Sequence, residues 1–404
     1  MAQKVVIIGQ GYTGRLSIVR SVAEMDCEIT LIALLSPSEY IKKRRKKPLD
    51  AYSKYVNNTL FSENYNEQML VDILMSKCVD PNQKTFIFPD NDFSAAAIDN
   101  HRNVLKEHFY CPHINERQGA VEEWMDKVKQ KKLAQEVGLN VANYMVIEVK
   151  DKSFQIPQGI NYPCFAKPLL SIVGGKSGLR KCDSELELRK HIESIMPKRD
   201  GISFLVEEFI QIEKEYATLG FSDGTNVIIP GMMELLHIGH GNHYGVAVQG
   251  KAFPTLGNED IIDKFKTLVK EIGFVGVFDI DFFESKGKMY FCELNLRFGG
   301  SGFVFTKLGV NLPVMMMKYF LGENIDDLNK TIQGSANYFN ERMALDDWYC
   351  GYISHEEYLN WRDTSDIKFV ADDEDDQPQK EFEKEYKIRR IKKTLKKCLG
   401  KCLF

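Results

Sequence analysis

Residues 277–311, VFDIDFFESKGKMYFCELNLRFGGSGFVFTKLGVN, place Asp279, Asp281, Glu293, Asn295 and Arg297 at alternate positions around a turn. Strand-forming runs flank Ser285-Lys286-Gly287-Lys288, the pattern of a β-hairpin. With the turn centred on Gly287, Asp281 and Glu293 face each other, their Cβ atoms about 4.5–5.5 Å apart. Asp279, Asn295 and Arg297 share that parity. Ile280, Phe282, Tyr290, Cys292, Leu294 and Leu296 take the other parity and are expected in the core. Facing carboxylates repel unless a cation lies between them, and an all-oxygen ligand set suits Mg²⁺, with Mn²⁺ an alternative. A solvated outer face is the competing reading. Against it, Phe283, Met289 and Phe291 would lie on the same polar face. A slip of one residue would exchange the two faces.

Other elements must bring anion-binding groups to this face. Lys167 ends the run Cys164-Phe165-Ala166-Lys167-Pro168, and a residue before proline favours extended geometry. A lysine inside an apolar strand makes sense if its ammonium meets an anion; a snorkelling surface lysine is the alternative. Residues 171–178, SIVGGKSG, form a short glycine-rich loop whose N–H groups are able to cradle phosphate oxygens. Its spacing is not that of a Walker A loop. Residues 204–210, FLVEEFI, form a strand in which one of Glu207 and Glu208 faces inward. Glu215 opens a further strand. His237, His240 and His243 invite a zinc reading, but no cysteine or carboxylate completes a standard ligand spacing.

The chain begins differently. Residues 4–8, KVVII, form a buried parallel strand. Gly9-Gln10-Gly11-Tyr12-Thr13-Gly14 follows, then a helix. This is the context of a dinucleotide fold, although no acidic residue ends the next strand. NADP is one reading, with the basic run 42–47 facing a 2′-phosphate; glycines that only permit a tight turn are the other. Helices at 68–76 and 93–107 and strands at 85–88 and 109–114 complete an open α/β layer.

Length supports two or three domains, and a net charge of −4 gives no global attraction to nucleic acid. Nine cysteines without a CxxC pair suit reduced thiols and a cytoplasmic protein. The sequence shows no signal-peptide pattern and no apolar run long enough to span a bilayer. Residues 371–379, ADDEDDQPQ, are expected to be a linker. Residues 387–404 carry eight Lys or Arg and no acid. Ile388, Ile391 and Leu395 recur there at helical spacing, a basic amphipathic helix suited to an anionic membrane surface or to packing on its own domain.

The ordered set of motifs resembles the ATP-grasp superfamily. Asp126-Lys127, opening a helix that stops at Gly138-Leu139, looks like that family's first basic phosphate contact, and Phe165-Ala166-Lys167-Pro168 like the second. Gly174, Gly175, Lys176, Ser177 and Gly178 look like its phosphate loop. Glu207, Glu208, Phe209 and Ile210 look like the adenine hinge, and Glu215 like the ribose ligand. Asp281, Glu293 and Asn295 match its Mg²⁺ ligands. Within the superfamily the resemblance is to bacterial D-aspartate ligases and related carboxylate–amine ligases, carried by residues 52–55, 109–112 and 293–312. The glycine loop departs from the family pattern.

This resemblance implies an α/β chain with an ATP-grasp fold and a Rossmann-like N-terminal domain. The implied divisions are a pre-domain over 1–120, a lid with helical linker over 121–210, a catalytic core over 211–330 and a C-terminal extension over 331–404. It implies an ATP-dependent ligase forming an amide through an acyl phosphate, acting on amino acids for cell-wall or surface-polysaccharide precursors. Lys127 and Lys167 would hold the ATP phosphates. Arg297, with Ser301 in the Gly299–Gly302 loop, would serve the reaction centre. Implied partners are small-molecule carboxylates and amines, no nucleic acid, membrane contact through 387–404, and a second copy in a homodimer. Carboxylate phosphorylation resembling that of carbamoyl phosphate synthase, an NADP-dependent oxidoreductase and a catalytically idle nucleotide-binding module are the alternatives.

Overall fold

The computed structural model describes residues 2–41, 46–169, 178–195, 203–240 and 246–399. Its N-terminal sheet has five parallel strands in the order Val56–Glu63, Cys27–Leu35, Gln3–Gly9, Thr85–Pro89, Phe109–Tyr110. Val5, Val6, Ile7 and Ile8 are all buried, because helices cover both faces of a parallel sheet. The side chains of Asn66 and Asn91 cap helices Glu67–Lys77 and Asp92–Asn100 by accepting from Met69 N and Ser94 N. The strand Val56–Glu63, VNNTLFSE, escapes sequence reading. It is a polar edge strand with little alternation. The expected strand over 109–114 is instead two short pieces. Phe109–Tyr110 joins this sheet, and His113–Ile114 pairs with Val275 and Phe274 in another. Pro112 lies between them and lacks the N–H that a continuing ladder requires.

A four-stranded antiparallel sheet follows, in the order Tyr144–Ile147, Phe204–Glu208, Cys164–Pro168, Arg180–Cys182. The largest sheet has nine strands. Lys288–Asn295, Phe274–Ser285, Lys214–Asp223, Met232–Ile238 and Ala247–Phe253 lie side by side in it. Leu219, Phe221 and Val277 of this sheet share a core with Ile7, Leu31 and Phe88 of the N-terminal sheet, and Met315, Met316 and Met317 fill the space between.

Phe274–Ser285 and Lys288–Asn295 form the expected hairpin, and Asp281 is paired with Glu293 and Asp279 with Asn295. The turn, however, is Lys286-Gly287, since Ser285 pairs with Lys288. A register shift between Asp281 and Phe282 brings Phe282 opposite Phe291. Cys292 is the extra residue of this β-bulge, and it reverses parity on the turn side. Phe291 is therefore in the core at 1% exposure, while Tyr290 leaves it and stacks on Phe283. Tyr290 and Cys292, expected in the core, are only half-buried.

Helices Glu341–Cys350, His355–Thr364 and Gln377–Leu399 pack over Val248 and Phe339 through Trp348, Tyr358, Trp361 and Phe382. The acidic stretch 371–379 is not a free linker. Asp375 is 1% exposed and its Oδ2 lies 3.1 Å from Arg20 Nε, because a buried guanidinium needs a carboxylate. Among the described residues no helix is long and apolar enough to cross a membrane.

Candidate active site

Asp126 caps helix Lys127–Glu136 by accepting from Val128 N and Lys129 N. The helix presents Lys127 and Lys131 one turn apart on one face. Lys127 Nζ lies 2.8 Å from Glu293 Oε2. Lys131 Nζ lies 2.6 Å from Glu207 Oε1, and Lys167 Nζ lies 2.8 Å from Glu207 Oε2. Three buried lysines thus converge on two carboxylates. Sequence reasoning missed Lys131, although its i, i+4 spacing from Lys127 was visible.

The charges set each other's protonation. Lys127 outweighs burial at Glu293 and, with Lys167, lowers its pKa to about 2. Burial raises the pKa of Glu207, but Lys167 and Lys131 overcome it and hold the carboxylate below its usual range. Burial depresses Lys131, whereas Glu207 more than offsets burial at Lys167 and holds it above the ordinary lysine value. All three lysines are less than one-tenth exposed, so an anion reaching them would meet weakly screened positive charge.

Asp281 has the opposite problem. Burial, then Asp279 and Glu293, push its pKa well up. The Asn295 amide donates to its Oδ2 at 3.2 Å. Clustered hard oxygens whose mutual repulsion a dication would relieve fit Mg²⁺. Among the described residues no group of three or more His, Cys, Asp or Glu could itself hold a metal ion. Mg²⁺ needs no such cage when substrate phosphates complete its shell. Ala217 lies across from Asp281 and Glu215 across from Phe283, so Glu215 is on the same face of the sheet.

Arg297 is held between two acids. Its Nε donates to Asp92 Oδ1 at 3.0 Å, and a second nitrogen lies 3.6 Å from Asp279 Oδ2. Burial would lower its pKa, but Asp92 and Asp279 raise it further. Burial, partly countered by Arg297, brings Asp279 up to about 6. Asp92 comes from the N-terminal layer, so Arg297 ties the two sheets together at the site. A Cβ on Gly299 would meet Asp279 Oδ2 at 2.7 Å, so this turn admits only glycine there without a shift. Ser301 lies half-buried in the same turn.

Glu208 lies on the other face from Glu207 and accepts from Asn143 N at 3.0 Å. Phe209 and Ile210 follow, half-buried, with Lys181 over the Phe209 ring. Gly178 packs against Pro168, where a Cβ would meet Cγ at 2.6 Å. Gly174, Gly175, Lys176 and Ser177 lie outside the described residues, as does His243. His237 stacks on Trp361 and His240 pairs with Asp347 at 2.9 Å, so these two imidazoles serve different partners.

The N-terminal glycine loop holds a carboxylate of the chain itself. A Cβ on Gly9 would lie 1.6 Å from Asp90 Oδ1, and one on Gly14 2.8 Å from Oδ2. Arg15 is turned inward, donating to Gly9 O and, at 2.6 Å, to Asp50. Close approach of Asp90 accounts for Gly9 and Gly14 without a dinucleotide, while a Cβ on Gly11 would meet nothing within 4 Å.

Residues 132–311 match the model of the ATP-grasp domain, and the chain has the ATP-grasp fold, with a Rossmann-like parallel sheet at its N-terminus. It is 28% identical over 173 residues to the carbamoyl phosphate synthase large chain of Clostridium perfringens, covering 42% of this chain and 16% of that one. It is 27% identical over 288 residues to the formate-dependent phosphoribosylglycinamide formyltransferase of Bacillus subtilis, covering 67% of this chain and 71% of the relative. The L-amino acid ligase of Bacillus licheniformis superposes with a TM-score of 0.60 at 17% identity, over 83% of this chain and 79% of that one. The chain therefore spans only about one sixth of the carbamoyl phosphate synthase large chain, 16% of its length, and most of the other two.

Proposed function

We propose that this protein is an ATP-dependent carboxylate–amine ligase that forms an amide through an acyl phosphate. The observation that carries this reading is the convergence of Lys127, Lys131 and Lys167 on Glu293 and Glu207, next to the Asp281–Glu293 pair. A carboxylate is a poor acyl donor because its leaving group would be oxide. Transfer of the ATP γ-phosphoryl group makes an acyl phosphate, which an amine attacks with release of phosphate. The lysines bind the phosphates, exchanging protein carboxylates for phosphate oxygens. Asp281, Glu293 and Asn295 would hold Mg²⁺, which supplies charge neutralisation between the phosphates. Arg297, oriented by Asp92 and Asp279, stabilises charge on the transferring group. Gly299–Gly302, including Ser301, borders that position. Amino acids are the substrate class favoured by the likeness to an L-amino acid ligase.

The test is a screen of amino acids, singly and in pairs, for stimulated phosphate release from Mg·ATP. Release that needs both a carboxylate and an amine, with an amide product, supports ligation. The likeness to a carbamoyl phosphate synthase large chain favours a second reading, phosphorylation of a small carboxylate. Release without any amine requirement would select it.

We further propose that helix Gln377–Leu399 contacts an anionic membrane surface. Its inner face is pinned by Phe382, Arg389 and Lys393, and Ile388, Ile391 and Leu395 point outward at 54%, 60% and 51% exposure. Lys387, Arg390 and Lys392 flank them, also exposed. Co-sedimentation with vesicles containing phosphatidylglycerol, lost in Ile391→Glu and absent with neutral vesicles, is the expected result. Equal sedimentation of the variant would refute it.

A further inference from the structure

Helices His355–Thr364 and Gln377–Leu399, with the loop between them and Lys307, line an open cleft of about 700 Å³. Its volume is that of a small-molecule site. Nothing in the ligase reading uses it.

Carboxylates outnumber cations in its lining, and several of the charges are already matched. Lys307 pairs with Asp372 at 2.7 Å and Arg362 with Asp363 at 2.7 Å. Glu341 is buried in the wall and accepts the backbone N–H groups of Phe369, Val370 and Ala371. Asp373, Glu374 and Glu383 are left on the rim, exposed and without an ion pair among the described residues. Below them the floor is aromatic, made by Phe382, Tyr386 and Tyr358.

Tyr358 supplies a second observation independent of the acids. Its side chain is 98% shielded, with 2% exposure, and its ring stacks on Tyr386 with centroids 5.5 Å apart. Tyr358 lines the cleft, and among the described residues no hydrogen bond engages its hydroxyl. A hydroxyl that solvent reaches at the wall of a cleft is free to bond a ligand in place of water. Burial and then Glu341 keep the phenol protonated, so it remains able both to accept and to donate.

We infer that this cleft binds an organic polycation of the diamine or polyamine class, with methylenes on the aromatic floor and ammonium groups against the acidic rim and the Tyr358 hydroxyl. Attraction of ammonium groups to aromatic faces and carboxylates supplies the affinity. A bare divalent ion fits poorly, because among the described residues no three acids converge as metal ligands. The inference does not depend on the ligase reading.

The experiment is calorimetric titration of the full chain with spermidine and with 1,4-diaminobutane at about 0.15 M salt. Saturable binding of one equivalent is expected, weakened roughly tenfold in Asp373→Asn/Glu374→Gln and several-fold in Tyr358→Phe. The double variant changes only exposed side chains, so its unfolding temperature and basal nucleotide turnover should match wild type. Absence of saturable heat would overturn the inference, as would unchanged affinity in the double variant. Displacement of spermidine by Mg²⁺ at equal charge would also overturn it, showing only diffuse attraction to acids.

Discussion

Asp281 and Glu293 are direct partners across the hairpin although the turn between them is not centred where their spacing implies. A two-residue turn at Lys286-Gly287 would offset them by one. The bulge at Cys292 restores the pairing, and with it a half-buried face on which Asp279, Asp281, Glu293 and Asn295 meet. Deleting Cys292 would only remove the bulge and leave Asp281 opposite Glu293, whereas inserting one alanine after Cys292 is expected to bring Ile280 opposite Glu293 and carry that acid toward the core face. ATP binding, measured by titration of a non-hydrolysable analogue, should be lost, and the unfolding temperature should fall. Cys292→Ala, which keeps the residue count, should retain both. Intact binding in the insertion variant would contradict the pairing as the basis of the site.

Glu207 stands between Lys131 and Lys167. Removing its charge leaves two buried ammonium groups facing each other. Glu207→Gln is expected to destabilise the protein by roughly 3–5 kcal/mol in chemical denaturation. Adding Lys131→Met should recover much of that loss, because one buried charge is gone. Nucleotide affinity should remain weak in the double variant, since a phosphate contact is missing. Additive stability changes would mean that the three groups do not act as a unit.

Arg297 is positioned from two directions, by Asp92 and by Asp279. Arg297→Ala should reduce turnover by about 10²–10³ while leaving nucleotide affinity within a small factor. Arg297→Lys should not rescue, because an ammonium cannot reproduce a planar fork between two carboxylates. Asp92→Asn is expected to lower kcat with little change in KM for ATP, the mark of a positioning residue. Unchanged kcat in Asp92→Asn would remove it from that role.

Asp90 offers a pH test apart from catalysis. Burial brings its pKa up to about 7 from 3.8, with Arg15 and Arg297 opposing the rise. The unfolded chain releases this proton near its ordinary value, while the folded protein keeps it to near neutrality. Between those limits the folded state binds more protons, so the contribution of Asp90 to stability falls as pH rises. Asp90→Asn should flatten that part of the stability–pH curve and leave the protein relatively more stable at pH above 7. An unchanged slope would show that Asp90 is ionised in the folded state. Gly9→Ala, whose Cβ would lie 1.6 Å from Asp90 Oδ1, should cost about 1–3 kcal/mol, partly recovered by Asp90→Ala.

Much of this arrangement was legible in the chain itself. Continuous apolar runs such as Val5, Val6, Ile7 and Ile8 require a parallel sheet covered on both faces. Alternating acids around the 285–288 turn point to a two-faced hairpin, and Lys167 before Pro168 points to a strand end whose ammonium meets an anion. These are local properties of period, turn chemistry and charge, and they carried the fold class and most candidate residues. The polar edge strand Val56–Glu63 left no such signal, since its pairing partner, not its own pattern, makes it a strand. The parity of Tyr290, Phe291 and Cys292 was decided by a bulge, which inserts one residue wherever the neighbouring ladder requires it. Glu207 facing Lys131, Asp92 facing Arg297 and Asp90 facing Gly9 join residues between 76 and 205 positions apart, or from different sheets. Charge type shows that a buried lysine or arginine needs a carboxylate. Which carboxylate it receives depends on packing between elements, and that is fixed only when the sheets close on one another.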